Sequence, residues 1–186
     1  ALTARSVAEA LHVSTQPVFT CFHSMEELRR EVLSAARAVY DSYVERGLQA
    51  ELPFFGFGME YIRFAREEPN LFWLLFLRRR DTAEFPPTEN HSADIRRAIR
   101  ETFSLTDAQA DELHRHLWTY VHGLCTLIVT GVNDIPDTEA ARLLGEVCRA
   151  LLIAQRVSHD ARTAIIPGEN VDIGALSGYI AAPDNR

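Results

Sequence analysis

The chain has 186 residues, of which 47 % are apolar and 24 % are charged, and its formal net charge is −7. A chain of this composition can bury a sizeable core, which excludes a disordered or a collagen-like protein. The longest apolar run, residues 71–77, is far shorter than the ~20 residues that a membrane-spanning helix needs, so we expect no membrane partner. Because the net charge is negative, any DNA-binding surface has to be a local one.

The three cysteines, Cys21, Cys125 and Cys148, are widely spaced and odd in number. This argues against a disulfide framework and for a reducing compartment. No basic-then-apolar signal segment opens the sequence, so we expect a cytoplasmic protein. It contains no nucleophile elbow, phosphate-binding glycine loop or Cys-x-x-Cys pair, and we therefore expect no catalytic residues, no cofactor and no enzyme activity.

The predicted fold class is all-α, because no stretch alternates apolar and polar residues between hairpin turns. Thr3 is a candidate cap for a helix of about eight residues, and a second short helix is predicted at residues 14–21. Ser24 and Glu27 have the spacing of a capping box, which starts a long helix that ends near Gly47.

Helices are also predicted for the rest of the chain up to about residue 158. Pro53 begins an aromatic-rich helix that ends before Pro69, and residues 71–77 are interpreted as a buried helix. Pro86 and Pro87 mark a loop. Three more helices are predicted at residues 92–103, 107–131 and 137–158, and an irregular tail at residues 161–186.

Residues 2–22 have the length pattern of a helix-turn-helix, with a tight turn at residues 11–13. The alternative is an ordinary helical corner. Three segments here strongly resemble the DNA-binding domain of TetR-family regulators: LTARSVA at residues 2–8, VSTQPVF at 13–19 and FHSMEEL at 22–28. A fourth segment, WTYVHGL at residues 118–124, resembles the Trp…His-Gly signature of the C-terminal domain in one branch of that family.

Several residues depart from the family pattern. The family's domain begins with a helix of about twenty residues, so we expect that the sequence starts inside the domain. His12 replaces the usual glycine of the turn, and histidine tolerates a positive φ better than most residues. Phe19 replaces a tyrosine. Cys21 stands where histidine or an aromatic residue is common, and Met25 stands where a lysine that neutralises a phosphate is common.

The resemblance implies a DNA interface on the first three helices. Thr3, Ser14 and Ser24 are candidates for phosphate contacts. Side chains that could reach base edges are Arg5, Thr15, Gln16 and Phe19, and Pro17 and Cys21 complete the candidate interface. Core positions of this region are predicted to be Val7, Val13, Val18 and Phe22.

The C-terminal part offers a candidate ligand site, because aromatic residues are concentrated there and ligand pockets are mostly apolar. The alternative is that these rings are plain core. The candidates are Phe57, Tyr61, Phe72, Trp73, Phe76, Trp118, Tyr120 and His122. His114, Trp118, His122 and Cys125 share one helix face, but no carboxylate completes a ligand set, so we expect no metal.

The helices at 107–131 and 137–158 each carry an apolar stripe. The first stripe consists of Leu117, Val121, Leu124 and Ile128, and the second consists of Leu144, Val147, Leu151 and Ala154. Such helices favour a four-helix homodimer interface, with a purely intramolecular core as the alternative.

Together these features predict a helix-turn-helix domain with its linker helix (residues 1–46), a helical ligand-binding and dimerisation domain (47–160) and a tail (161–186). The function that the resemblance implies is a ligand-responsive transcriptional regulator. It would be a homodimeric repressor, released from a palindromic double-stranded DNA operator by a small apolar or aromatic effector. The alternative is a helical small-molecule-binding protein that has lost its affinity for DNA.

Overall fold

Helices account for all the regular structure that the computed structural model describes, which covers residues 3–78 and 91–156. This confirms the all-α prediction. The helices are α1 (Ala4–Ala10), α2 (Gln16–Cys21), α3 (Met25–Leu48), α4 (Pro53–Glu67), α5 (Pro69–Phe72), a π-helical turn (Trp73–Leu77), α6 (Ser92–Phe103), α7 (Asp107–Val129) and α8 (Asp137–Arg156).

The predicted loop around Pro86 and Pro87 and the predicted tail at residues 161–186 lie outside the described residues. Internal contacts divide the chain into two units, with the boundary between Leu144 and Gly145.

The turn between α1 and α2 depends on His12, which adopts the left-handed conformation with φ 55°. Its backbone N–H donates to the carbonyl of Glu9 (3.2 Å), and the N–H of Val13 donates to the carbonyl of Ala8 (2.9 Å). This pair of bonds is the Schellman motif that commonly ends helices. The prediction that His12 tolerates a positive φ is confirmed.

Side chains cap the starts of α1 and α3. The Thr3 hydroxyl accepts a hydrogen bond from the Ser6 backbone N–H, as expected of a cap. The Ser24 hydroxyl likewise accepts from the N–H of Glu27 (3.1 Å). However, the Glu27 carboxylate accepts from the N–H of His23 (2.6 Å). The carboxylate of the predicted capping box therefore accepts from the residue before the cap, His23, and not from Ser24.

α2 begins at Gln16, two residues later than predicted, with Pro17 in its first turn. Proline is favoured there because its fixed φ suits a helix start and its missing N–H would be unpaired anyway.

α3 and α4 approach each other so closely that only glycine fits at the crossing. A Cβ atom on Gly47 would lie 2.6 Å from Cα of Phe57, and one on Gly56 would lie 2.4 Å from the backbone oxygen of Gly47. Two polar contacts continue this interface. Arg46 donates to the carboxylate of Glu60 (2.7 Å), and the Tyr43 hydroxyl donates to that of Glu67 (2.8 Å).

The apolar run at residues 71–77 is not the uniformly buried helix that was predicted. The backbone changes there from α5 to the π-helical turn. Phe72 and Leu75 are buried, whereas Trp73 is 54 % exposed.

Three of the four residues of the predicted dimer stripe on α7 are not available for a dimer interface. Leu117, Val121 and Leu124 are buried inside the single chain. On α8, Leu144 is buried too, and it fills the space next to Gly58, where a Cβ would lie 2.7 Å from Leu144 Cδ2. These four residues belong to the intramolecular core, as in the alternative interpretation. Of the other stripe residues, Ile128, Val147 and Leu151 are only partly buried, and Ala154 is exposed.

Gly56→Ala should lower the free energy of unfolding by about 1–3 kcal/mol, because the added methyl group meets backbone atoms that cannot rotate away. The matched control is Gly145→Ala, where the nearest atom is the flexible end of Arg149 at 3.5 Å. Alanine there should raise stability by up to ~1 kcal/mol through helix propensity. Urea denaturation measures both. A Gly56→Ala variant as stable as the parent would contradict the close packing of α3 on α4.

Candidate functional site

The candidate DNA-reading surface is the outer face of α2 and the residues before it. The side chains of Ser14, Thr15, Gln16, Pro17, Phe19, Thr20 and Cys21 are all exposed. Five of them, Ser14, Gln16, Pro17, Thr20 and Cys21, line an open depression of about 370 Å³. Val18 on the opposite side is only 5 % exposed, so it anchors the helix. The segment 14–22 carries no acidic residue that would repel a phosphate.

Three of the predicted DNA contacts have intramolecular partners. The hydroxyls of Thr3 and Ser24 accept hydrogen bonds from backbone N–H groups as caps. The Thr3 hydroxyl also donates to Oγ of Ser6 (3.1 Å), whereas the hydroxyl of Ser24 can still donate to a phosphate. The Arg5 guanidinium lies 2.9 Å from the Glu9 carboxylate, with both side chains largely exposed. An exposed pair of this kind is weak, so Arg5 remains accessible to DNA.

One expectation about the core of this region differs from the structure. Val18 is buried as predicted, and Val7 and Phe22 are partly buried. Val13 is 46 % exposed, because its backbone is used to close the turn and its side chain is left outside. Phe19 is 56 % exposed, so it is available to a partner rather than part of the core.

The candidate ligand site is a set of rings that we call the aromatic cluster: Phe57, Tyr61, Phe72, Phe76, Trp118 and His122. Tyr61 lies at its centre, with its ring centroid 5.6 Å from that of Phe72 and 5.4 Å from that of Phe76. The rings of Phe57 and His122 lie 6.3 and 6.4 Å from Tyr61. The structure therefore brings together six of the eight predicted ligand residues.

Helical spacing explains why these six meet. Phe57 and Tyr61 are four residues apart on α4, and Trp118 and His122 are four residues apart on α7, so each pair shares one helix face. The faces of α4 and α7 pack on each other, and the turn after α5 adds Phe76. Trp73 and Tyr120 are in no ring contact among the described residues, and Trp73 is exposed.

Sequence reasoning missed Tyr40, on α3. Its ring lies 5.9 Å from Tyr61 and 5.3 Å from Phe76, and only 4 % of the residue is exposed. The available signal was the helical spacing of Ala36, Tyr40 and Tyr43, all of which are buried. Tyr40 connects the helix that follows the DNA-reading surface to the aromatic cluster.

Burial favours the uncharged forms of the titratable groups in and beside the aromatic cluster. Burial lowers the pKa of His122 below its ordinary value, and the Tyr61 hydroxyl and His122 Nδ1 are hydrogen-bonded at 2.9 Å. Burial likewise lowers the pKa of His114, whose ring lies 6.3 Å from Phe57. Burial raises the pKa of Tyr40 and keeps its phenol protonated.

Within residues 3–78 and 91–156, no three His, Cys, Asp or Glu side chains are grouped so that they could hold a metal ion. Cys125, on the face considered for zinc, is a buried thiol whose pKa is raised by desolvation, and thiolate is the form that binds metals. In the same part of the chain, no helix combines the length and the apolar character needed to cross a bilayer.

Comparison with known proteins gives one match. The family model for the tetracyclin repressor-like C-terminal domain matches residues 54–151, which is more than half of the chain and runs from α4 into α8. No curated protein and no solved structure matches. The matched segment contains the whole aromatic cluster. The chain therefore belongs to the tetracyclin repressor-like family of transcriptional regulators.

Proposed function

We propose that this protein is a homodimeric repressor that binds a palindromic operator through α2 and leaves it when a small aromatic molecule binds at the aromatic cluster. The observation that carries the proposal is that α3 extends from the end of α2 to the aromatic cluster. This one helix is capped by Ser24 just after α2, and sixteen residues later it places Tyr40 against Tyr61 and Phe76. At 1.5 Å per residue the two points are about 24 Å apart.

A rigid helix of this length can carry a change at the cluster to the reading surface. A ligand that favours a different position of Tyr40 also favours a different position of the start of α3. The ligand then lowers the affinity for DNA by the ratio of its own affinities for the two conformations. The proposal does not require the ligand to approach the DNA.

The charge of the N-terminal region supports an operator affinity that depends little on electrostatic attraction to phosphates and mainly on contacts with base edges. Residues 1–46 contain five arginines and six acidic residues, which gives a net charge of −1. We therefore propose that operator affinity depends on contacts from α2, with Gln16 as the residue best suited to pair with an adenine. The dependence of affinity on salt should be shallow, because few phosphates are neutralised.

Gln16→Ala should weaken operator binding by about 1–3 kcal/mol and relax the base preference at one position of each half-site. Met25→Lys is the contrasting variant, since it adds a phosphate partner and should strengthen binding to all sequences alike while steepening the salt dependence by about one unit. Fluorescence anisotropy measures both with the full-length protein, the DNA upstream of its own gene and a scrambled duplex. Equal affinity for the two duplexes would favour the alternative, a ligand-binding protein without operator recognition.

We also propose a dimer seam on α7 that replaces the predicted stripe. Tyr120, Gly123 and Leu127 have the three-and-four spacing of a helix interface, and none of them is buried in the single chain. A Cβ on Gly123 would have no atom within 4 Å. On α8, Gly145, Cys148 and Leu152 have the same spacing and are also only partly buried. The remaining faces of both helices are thus suited to contact a second copy.

Gly123→Glu should give a folded monomer, because the charge has room in one chain but would be buried at the seam. Arg115→Glu, on an exposed part of α7 outside the stripe, should remain dimeric. Light scattering gives the mass and circular dichroism the helix content. A Gly123→Glu variant that stays dimeric would show that the seam lies elsewhere. Leu124→Glu does not make this distinction, since Leu124 is core and its replacement should unfold the chain.

A further inference from the structure

Gln16 and Thr20 are the two residues of α2 that lie furthest around the helix from its buried side. At about 100° per residue, they lie about 160° to either side of Val18, which anchors the helix, and both are exposed. The Thr20 hydroxyl donates to the backbone carbonyl of Gln16 (3.0 Å), so its hydrogen is used within the helix. Of the two side chains, the amide of Gln16 therefore offers a base both a donor and an acceptor.

Phe19 is the apolar neighbour of Gln16 on this surface. It lies about 60° from Gln16 around the helix, on the side away from Thr20, and 56 % of the residue is exposed. A phenyl ring has no hydrogen-bonding group, so the contact that it favours in a DNA groove is an apolar one. The apolar group that identifies a base edge in the major groove is the 5-methyl group of thymine.

The spacing of Phe19 and Gln16 fixes which base the ring can reach. The two residues are three positions apart, and at this spacing the Cβ atoms on a helix are about 5–6 Å apart. Successive bases are about 3.4 Å apart along one strand. The ring is therefore placed at a base about one or two positions from the one that the Gln16 amide meets.

We propose that Phe19 contributes to operator selection by packing its ring on the 5-methyl group of a thymine, about one or two base pairs from the adenine that Gln16 recognises. The inference rests on the proposed function, because it names a second base that the same surface reads. The contact stabilises the complex by removing apolar surface from water. It carries sequence information because cytosine lacks the methyl group, whereas a contact of the ring with the sugar–phosphate backbone would carry none.

Replacing thymine by uracil tests the proposal, because uracil lacks the methyl group but pairs with adenine in the same way. The probe is the duplex upstream of the protein's own gene, with the half-sites located by footprinting and uracil placed at one position of both half-sites at a time. Anisotropy with the full-length protein should show about 3- to 5-fold weaker binding for each half-site. The expected position is about one or two base pairs from the one at which Gln16→Ala relaxes the base preference.

Phe19→Ala should bind the thymine and uracil duplexes equally well at that position, because the partner of the methyl group is gone. Val13→Ala is the matched control. Val13 is also exposed, at 46 %, but it lies before α2, in the turn, so this variant should lose as much affinity with uracil as the parent does. Circular dichroism checks the helix content of both variants.

Two results would overturn the thymine contact: uracil without effect at these positions, or an equal effect of uracil in Phe19→Ala and in the parent. The scrambled duplex separates this failure from that of the proposed function. Specific operator binding that does not respond to uracil contradicts the thymine contact alone. Equal affinity of the parent for operator and scrambled duplex contradicts the proposed repressor, and the thymine contact with it.

Discussion

The contact between the backbones of α3 and α4 at Gly47 and Gly56 determines where the other functional parts lie. Because a Cβ at either position would overlap backbone atoms, the two helices can approach only through glycine. The Arg46–Glu60 pair adds a polar contact beside the crossing. With α3 held this way, Tyr40 is directed into the rings of α4 and the turn after α5, and the start of α3 is fixed relative to the same rings.

This arrangement separates recognition from response. In the proposed function, the exposed side chains of α2 contact the DNA, and the aromatic cluster contacts the ligand. Few residues need to serve both purposes. Tyr40 is the exception, since it lies on the helix that leads to α2 and touches Tyr61 in the cluster. Burial lowers the pKa of His122 in the cluster and raises that of Tyr40 beside it, which favours the uncharged form of both groups.

Local signals in the sequence were sufficient for much of the fold. The caps at Thr3 and Ser24 and the positive φ of His12 depend on neighbouring residues only, and all three are found in the structure. Features that depend on tertiary packing were not predictable. Trp73 is exposed although it stands within an apolar run, and Leu124 is buried by its own chain. Of the ligand candidates, Tyr61 and His122 meet because their helices pack together, a contact that helical periodicity alone does not specify.

The central claim is that Tyr40 couples the aromatic cluster to the reading surface, and a thermodynamic cycle tests it most directly. Operator affinity is measured with and without 2-naphthol, a small aromatic molecule used as the probe, for the parent protein, Tyr40→Phe and Tyr40→Leu. The account predicts that 2-naphthol weakens operator binding by about 5- to 150-fold in the parent and in Tyr40→Phe, which keeps the ring. In Tyr40→Leu the separate affinities for operator and for 2-naphthol should persist while this effect is largely lost. A Tyr40→Leu variant that responds to 2-naphthol like the parent would contradict the account.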